Sequence, residues 1–248
     1  MKTTFLGVGE AFDHKQANTS ILLETTKTVM LLDCGYSVFS EVWKNNLDPN
    51  HLDLIYISHV HGDHVFGLPP LIKRMTEEQR SKKLTIIAPQ GSAKLIKRIM
   101  NLGFRNSSNK TSYQLEFLEV DAENQVTIND LALTFADTKH AVKNLSIRIK
   151  NKNKIVCYSG DGNHTDESVQ LFKNTDLLIH DSYCYDKRTK GHDNILDVYN
   201  FSKEIGVKKL AFIHMQRSER KKLPKITEKI INLTIPSFIP NKGDVWEI

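Results

Sequence analysis

The stretch His59-Val60-His61-Gly62-Asp63-His64 places four side chains able to donate lone pairs to a divalent cation within six residues. Imidazole nitrogen and carboxylate oxygen bind zinc at about 2.0–2.2 Å, and a catalytic zinc keeps one position open for water. In an extended segment alternate side chains share a side, so His59 and His61 face one way. The turn at Gly62 can carry Asp63 and His64 another way. Two pairs of ligands are too few for two ions, so further ligands must come from elsewhere in the chain. Three polar residues each follow an apolar run: His140 after Leu131–Ala136, Asp161 after Lys154–Tyr158, and His214 after Leu210–Ile213. A sheet delivers such strand-end residues to one edge. The bland alternative, a polar loop of solvated histidines, fits this clustering poorly. The remaining histidines have structural readings: His180 as a hydrogen-bonded core residue, His164 as a rim or helix-cap neighbour, and His51 as a surface residue. His14 belongs to a loop that could edge the site.

These side chains require strands on both sides of the chain's midpoint. Strands are predicted over Thr3–Leu6, Ser20–Glu24, Val29–Leu32 and Leu54–Ile57, the last leading directly into His59. Further strands are predicted over Leu84–Ala88, Tyr113–Leu118, Gln125–Ile128, Leu131–Ala136, Leu145–Lys150, Lys154–Tyr158, Leu177–His180, Lys209–Ile213 and Asp244–Ile248. Helical spacing marks Tyr36–Trp43, Gly67–Lys83, Ser92–Asn101, Thr165–Phe172, Asn194–Ile205 and Leu223–Asn232. Strands alternating with helices predict an α/β layered domain. The 248 residues are 40% hydrophobic and 25% charged, which argues against disorder. No apolar run approaches the ~18 residues of a membrane span, and the first residues lack a signal-peptide core. The three cysteines, Cys34, Cys157 and Cys184, are widely spaced and suit a reducing cytoplasm. The formal charge of +5 is concentrated: Phe201–Ile230 holds nine Lys/Arg against three acids, a net of +6. That stretch begins beside His214 and suggests an anionic partner.

The order His59–His64, His140, Asp161, His214 resembles the metallo-β-lactamase superfamily, over a span from Leu31-Leu32-Asp33-Cys34-Gly35 to Phe212-Ile213-His214. The resemblance implies an αββα four-layer sandwich formed by residues 1–248 as a single domain, with a dinuclear zinc site at one end of the sheets. It implies one zinc on His59, His61 and His140, another on Asp63, His64 and His214, and Asp161 bridging them; manganese is the alternative metal. Asp33 is expected to support the ligand loop. Leu178-Ile179-His180-Asp181-Ser182-Tyr183 and Gly191-His192-Asp193-Asn194 resemble the ribonuclease Z branch, which implies a catalytic role for His192 and Asp181 beside Asp63. That resemblance also suggests a homodimer. Asp193-Asn194 stands where the branch has Ser-Thr. Asp13-His14-Lys15-Gln16-Ala17-Asn18 stands where tRNA-processing members carry Pro-x-Lys-x-Arg-Asn, and only Lys15 and Asn18 fit. Between His140 and Asp161 lie only twenty residues, which read as a hairpin and leave no room for the tRNA-gripping arm.

The resulting expectation is a cytoplasmic phosphodiesterase with no membrane partner. It would act on a small anionic phosphodiester, such as a cyclic nucleotide or a nucleic-acid end, rather than process full tRNA. Attack would come from a metal-bound hydroxide, with His192, oriented by Asp181, protonating the leaving oxygen. The alternative is an acyl hydrolase for thioesters or lactones on the same site. A di-iron redox enzyme fits less well, because position 61 is His, and a non-catalytic relative would be expected to have lost some ligands.

Overall fold

The computed structural model describes residues 1–248. The first half runs β1 (Lys2–Gly7), β2 (Ser20–Glu24), β3 (Val29–Leu32), α1 (Phe39–Asn45), β4 (Leu54–Tyr56), α2 (Gly62–Val65), α3 (Leu68–Glu77), β5 (Leu84–Pro89), α4 (Ser92–Gly103) and β6 (Leu115–Val120). The second half runs β7 (Gln125–Ile128), β8 (Leu131–Asp137), β9 (Leu145–Asn151), β10 (Lys154–Tyr158), α5 (Asp166–Leu171), β11 (Leu177–Asp181), α6 (Ile195–Glu204), β12 (Leu210–Ile213), α7 (Arg217–Arg220), α8 (Leu223–Ile230), β13 (Ser237–Phe238) and β14 (Val245–Glu247). They build two seven-stranded sheets, ordered β14-β1-β2-β3-β4-β5-β6 and β13-β12-β11-β10-β9-β8-β7.

Alternation along the strands explains the layering. In β2, Ile21 and Leu23 join the core between the sheets, while Leu22 faces the outer helices. In β11, Ile179 points inward and Leu178 outward. The inter-sheet core includes Phe5, Met30, Leu32, Phe135, Ile147 and Ile213. Val42, Trp43, Leu71, Ile72, Ile96 and Met100 cover the outside of the first sheet; Phe172, Val198, Phe201, Ile226 and Ile230 cover the second. Each buried Leu, Ile, Val or Phe stabilises by roughly 1.5–3 kcal/mol relative to exposure. Apolar side chains on both faces of these strands therefore select an α/β/β/α sandwich, as expected.

Strand direction positions the site. β3 through β6 are mutually parallel, as are β10 through β13. β8 runs with β10 because both are antiparallel to β9. Strands β3, β4, β8, β10, β11 and β12 end just before or at Asp33, His59, His140, Asp161, Asp181 and His214. In open α/β sheets such C-terminal ends are where ligands gather.

The expected hairpins form: β2 and β3 pair from Glu24↔Val29, and β9 and β10 from Asn151↔Lys154. The predicted helix Gly67–Lys83 is shorter, because Gln79 adopts φ 56° and ends it near Glu77. The strand expected at Tyr113 begins at Leu115; Tyr113 instead lies under the guanidinium of Arg80, 5.0 Å from its ring. Two short helices, α2 and α7, arise where the apolar pattern is too brief to mark them. No helix is long and apolar enough to cross a membrane.

Candidate metal centre

Two groups of side chains converge at the sheet edge. His59, His61 and His140 form one, and Asp63, His64, Asp161 and His214 the other; within each group the candidate ligand atoms lie within 4.8 Å of one another. His61 Nδ1 is 3.1 Å from both His59 Nε2 and His140 Nε2. Asp161 Oδ2 is 3.4 Å from His64 Nε2 and 3.3 Å from His214 Nε2. The same oxygen lies 3.8 Å from His59 Nε2 and 4.0 Å from His140 Nε2. Asp161 thus faces both groups. Asp63 Oδ2 is 3.3 Å from His64 Nε2.

A surrounding layer sets the tautomers. His140 Nδ1–H donates to the Gly191 carbonyl (2.8 Å) and His64 Nδ1–H to Asp33 Oδ2 (2.8 Å). The Thr19 hydroxyl donates to the Gly9 carbonyl, so His214 Nδ1–H donates to Thr19 Oγ1 at 3.2 Å. Ser58 Oγ donates to Asp33 Oδ2 (2.7 Å) and accepts from His59 Nδ1–H (3.0 Å). Each of these rings turns its Nε2 inward. Asp33 also accepts from the Ser58 amide at 2.7 Å and the Tyr158 hydroxyl at 2.5 Å. Such outer partners fix ring orientation and raise ligand basicity.

These residues fit a pair of divalent cations. His64 Nε2 and Asp161 Oδ1 are buried without a hydrogen-bond partner. His61 Nδ1 lies 3.1 Å from both His59 Nε2 and His140 Nε2, and a single ring proton there can satisfy only one of them. Two ligands of one tetrahedral zinc stand about 3.3 Å apart when its bonds are about 2.0–2.1 Å. Electrostatics agree. Burial disfavours charge on Asp161, yet the imidazoles of His214 and His64 hold its carboxyl well below the usual carboxylate range. Burial disfavours charge on His64 too, but Asp161 and Asp33 raise it well above an ordinary imidazole. The pocket calls for positive charge where these groups meet.

His192 stands apart from that convergence. Its Nδ1 is 2.9 Å from Asp181 Oδ2, which also accepts the Gly162 amide at 3.1 Å. The ring stacks on Tyr183 (centroids 4.6 Å apart) and lies parallel to His214 at 5.5 Å. Burial opposes its protonation, but the Asp181 carboxylate raises it to about 9. Its side chain is 19% exposed and lines a cavity of about 420 Å³ with His61, Asp63, His140, Asp161 and His214. Glu10, Phe12, Tyr36 and Tyr183 complete much of the wall. The geometry brings all the expected site residues to this cavity or its immediate backing: Asp63, His192 and Asp181, and the seven candidate ligands.

The sequence reading missed Thr19, Tyr158, Asn163 and Tyr183. Thr19 and Tyr158 reach the site only through contacts between the two sheets, whereas Asn163 follows Asp161 closely enough to have been considered. The other histidines take structural places. His180 Nδ1–H donates to the Asp181 carbonyl (2.7 Å) among Phe172 and Phe201. His164 pairs with Asp193 while Thr165 caps α5. His51 bonds Asn46, and His14 lines a separate cavity with Lys15, Arg217 and Arg220.

The basic stretch is corrected in one respect: much of its charge is engaged elsewhere. Lys208 pairs with Asp176, Lys222 with Glu219, Lys209 lies over Trp246 and Lys229 over Tyr185. Arg217 and Arg220 line the separate cavity beside His14, where they tie down Glu10 (2.7 Å) and Asp13 (3.7 Å) of the loop bearing Phe12.

The chain has clear relatives. The family model described as Anti-Pycsar protein Apyc1 matches residues 1–230. Ribonuclease Z of Pediococcus pentosaceus is 35% identical over 158 residues, covering 61% of this chain and only half (50%) of that protein. Ribonuclease Z of Ligilactobacillus salivarius is 25% identical, covering 96% and 93% of the two chains. Among solved structures, the metallo-β-lactamase fold protein YhfI from Bacillus subtilis superposes with a TM-score of 0.84 at 24% identity, covering 100% of this chain and 99% of that one. The short form of human tRNase Z (ELAC1) does so at 0.81 and 22%, with the same coverage; at these identities both speak to the fold. A match to all but the last 18 residues places the chain in the Anti-Pycsar protein Apyc1 family; it is similar in sequence to Ribonuclease Z and has the metallo-β-lactamase fold.

Proposed function

We propose that the protein is a phosphodiesterase with two zinc ions that cleaves a small phosphodiester, such as a cyclic nucleotide or a nucleic-acid end. The observation that carries this is His192, held by Asp181, on the wall of a cavity lined by five of the seven candidate ligands. Bound metal would neutralise phosphoryl oxygens and lower the pKa of water towards ~7. The chain's own groups would do the rest. His192 Nε2 makes no hydrogen bond within the chain and faces a cavity where it can protonate a departing alkoxide. Asp181 holds the ring by Nδ1, and Asp63, besides ligating, can accept a proton from the attacking water.

Relatives named Ribonuclease Z support a phosphodiester as substrate. Small size is supported by the β9–β10 hairpin, which occupies the segment between His140 and Asp161 with no projecting arm. The three unpaired, buried cysteines suit the cytoplasm. The test is metal analysis joined to a hydrolysis screen of bis(p-nitrophenyl) phosphate, cyclic nucleotides, a thioester and a lactone. Two zinc per chain with turnover of the phosphodiesters is expected. Turnover of the thioester or lactone alone would overturn the reading.

A further inference from the structure

We propose that Asn163 is a positioning residue that sets His192 for proton transfer, an inference that rests on the proton-donor role proposed above. Its side chain fastens the loop carrying His192 to the loop carrying Asp161. Asn163 Nδ2 donates to the carbonyls of His192 (2.5 Å) and Thr189 (3.3 Å) and to Asp193 Oδ1 (3.3 Å). Its Oδ1 accepts the Gly191 amide at 2.9 Å. The Gly191 carbonyl in turn accepts His140 Nδ1–H at 2.8 Å, so one amide braces both the proposed donor and a candidate ligand.

Asn163 is itself held on the opposite side. Its amide donates to the Lys139 carbonyl (3.0 Å), and the Lys139 amide donates to its carbonyl (2.8 Å), one residue before His140. Asp193 completes the clamp: Oδ2 accepts from the His164 amide and Nδ1, each at 2.9 Å. Asp193 is one of the positions where the chain departs from the ribonuclease Z pattern. Its carboxylate meets Asn163 and His164, so this departure is matched by partners on the Asp161 loop.

Asp181 fixes only Nδ1 of the His192 ring. The backbone of His192 determines where Nε2 stands, and that backbone is what Asn163 holds. A displacement of about 1 Å at a reacting group can cost on the order of 100-fold. Because Asn163 is only half-buried, its truncation leaves the hydrophobic core untouched.

The experiment compares wild type, Asn163→Ala, His192→Ala and the double variant at saturating zinc. Each is measured on two phosphodiesters, one with a p-nitrophenolate leaving group and one with an alkoxide. Melting temperature and zinc content are measured alongside. Asn163→Ala is expected to lower kcat by about 10- to 100-fold on the alkoxide substrate and far less on the nitrophenyl one, with KM and bound zinc retained. In the His192→Ala background it should add no further loss. Equal losses on both substrates, or a full additional loss in the double variant, would show a merely structural role and overturn the inference. If His192→Ala itself shows no leaving-group dependence, it is the proton-donor reading that fails. Asn163→Ser, uncharged and too short to make these bonds, gives the same comparison should the alanine variant not fold.

Discussion

Of the buried carboxylates hydrogen-bonded to imidazoles, Asp33 with His64 and Asp181 with His192 differ in what the ring's second nitrogen meets. Asp33 and His64 are both fully buried, and His64 Nε2 faces Asp63 and Asp161. Asp181 is equally buried, but His192 is partly exposed and lines the cavity. Asp33 is anchored by three donors besides His64: the Ser58 amide, the Ser58 hydroxyl and Tyr158. Asp181 keeps one oxygen, Oδ1, without a partner. In the proposed function the first pair holds a ring still for ligation, and the second leaves a proton-carrying ring open to the cavity. An imidazole–carboxylate pair is therefore defined by the surroundings of its free nitrogen, not by its own hydrogen bond.

The contrast can be broken at the point both groups share. Outer partners of a metal site are worth about 10–100-fold in affinity, so Asp161→Ala, which removes a proposed common ligand, should cost more than about 100-fold in zinc affinity. Turnover should vanish with it; calorimetric zinc titration is the check. Asp33→Asn should fall within about 10–100-fold in zinc affinity, with activity restored by excess zinc. If activity stays low at saturating zinc, Asp33 does more than orient His64. The smallest effect belongs to Arg217, a half-exposed guanidinium outside the cavity that pairs with Glu10 of its wall. Arg217→Ala should raise KM for an anionic substrate by roughly 2–5-fold and leave kcat alone, because the guanidinium end of the pair is screened by solvent. Steady-state kinetics at low and high salt would read this directly.

Much of this arrangement was legible in the residues. Apolar runs with β-branched members marked most strands, and polar residues just beyond them marked the candidate ligands. Asp33 was legible only through the family pattern. Its four hydrogen bonds come from residues as distant as Tyr158, across the inter-sheet core. Asn163 and Thr19 act through loop and sheet contacts that carry no spacing rule. The basic stretch misled for a related reason: charge density along the chain does not reveal which cations are already paired. Lys208 and Lys222 have acidic partners, and Arg220 lies near Asp13, which is 207 residues earlier.

The central claim is that ligand holding and proton transfer reside in separate imidazole–carboxylate pairs. It is tested most directly by measuring zinc per chain and phosphodiester turnover together in His192→Ala. The account predicts unchanged zinc content and a fall in kcat of about 10²–10⁴-fold on an alkoxide-releasing substrate. Loss of zinc from this variant, or turnover equal to wild type, would contradict it.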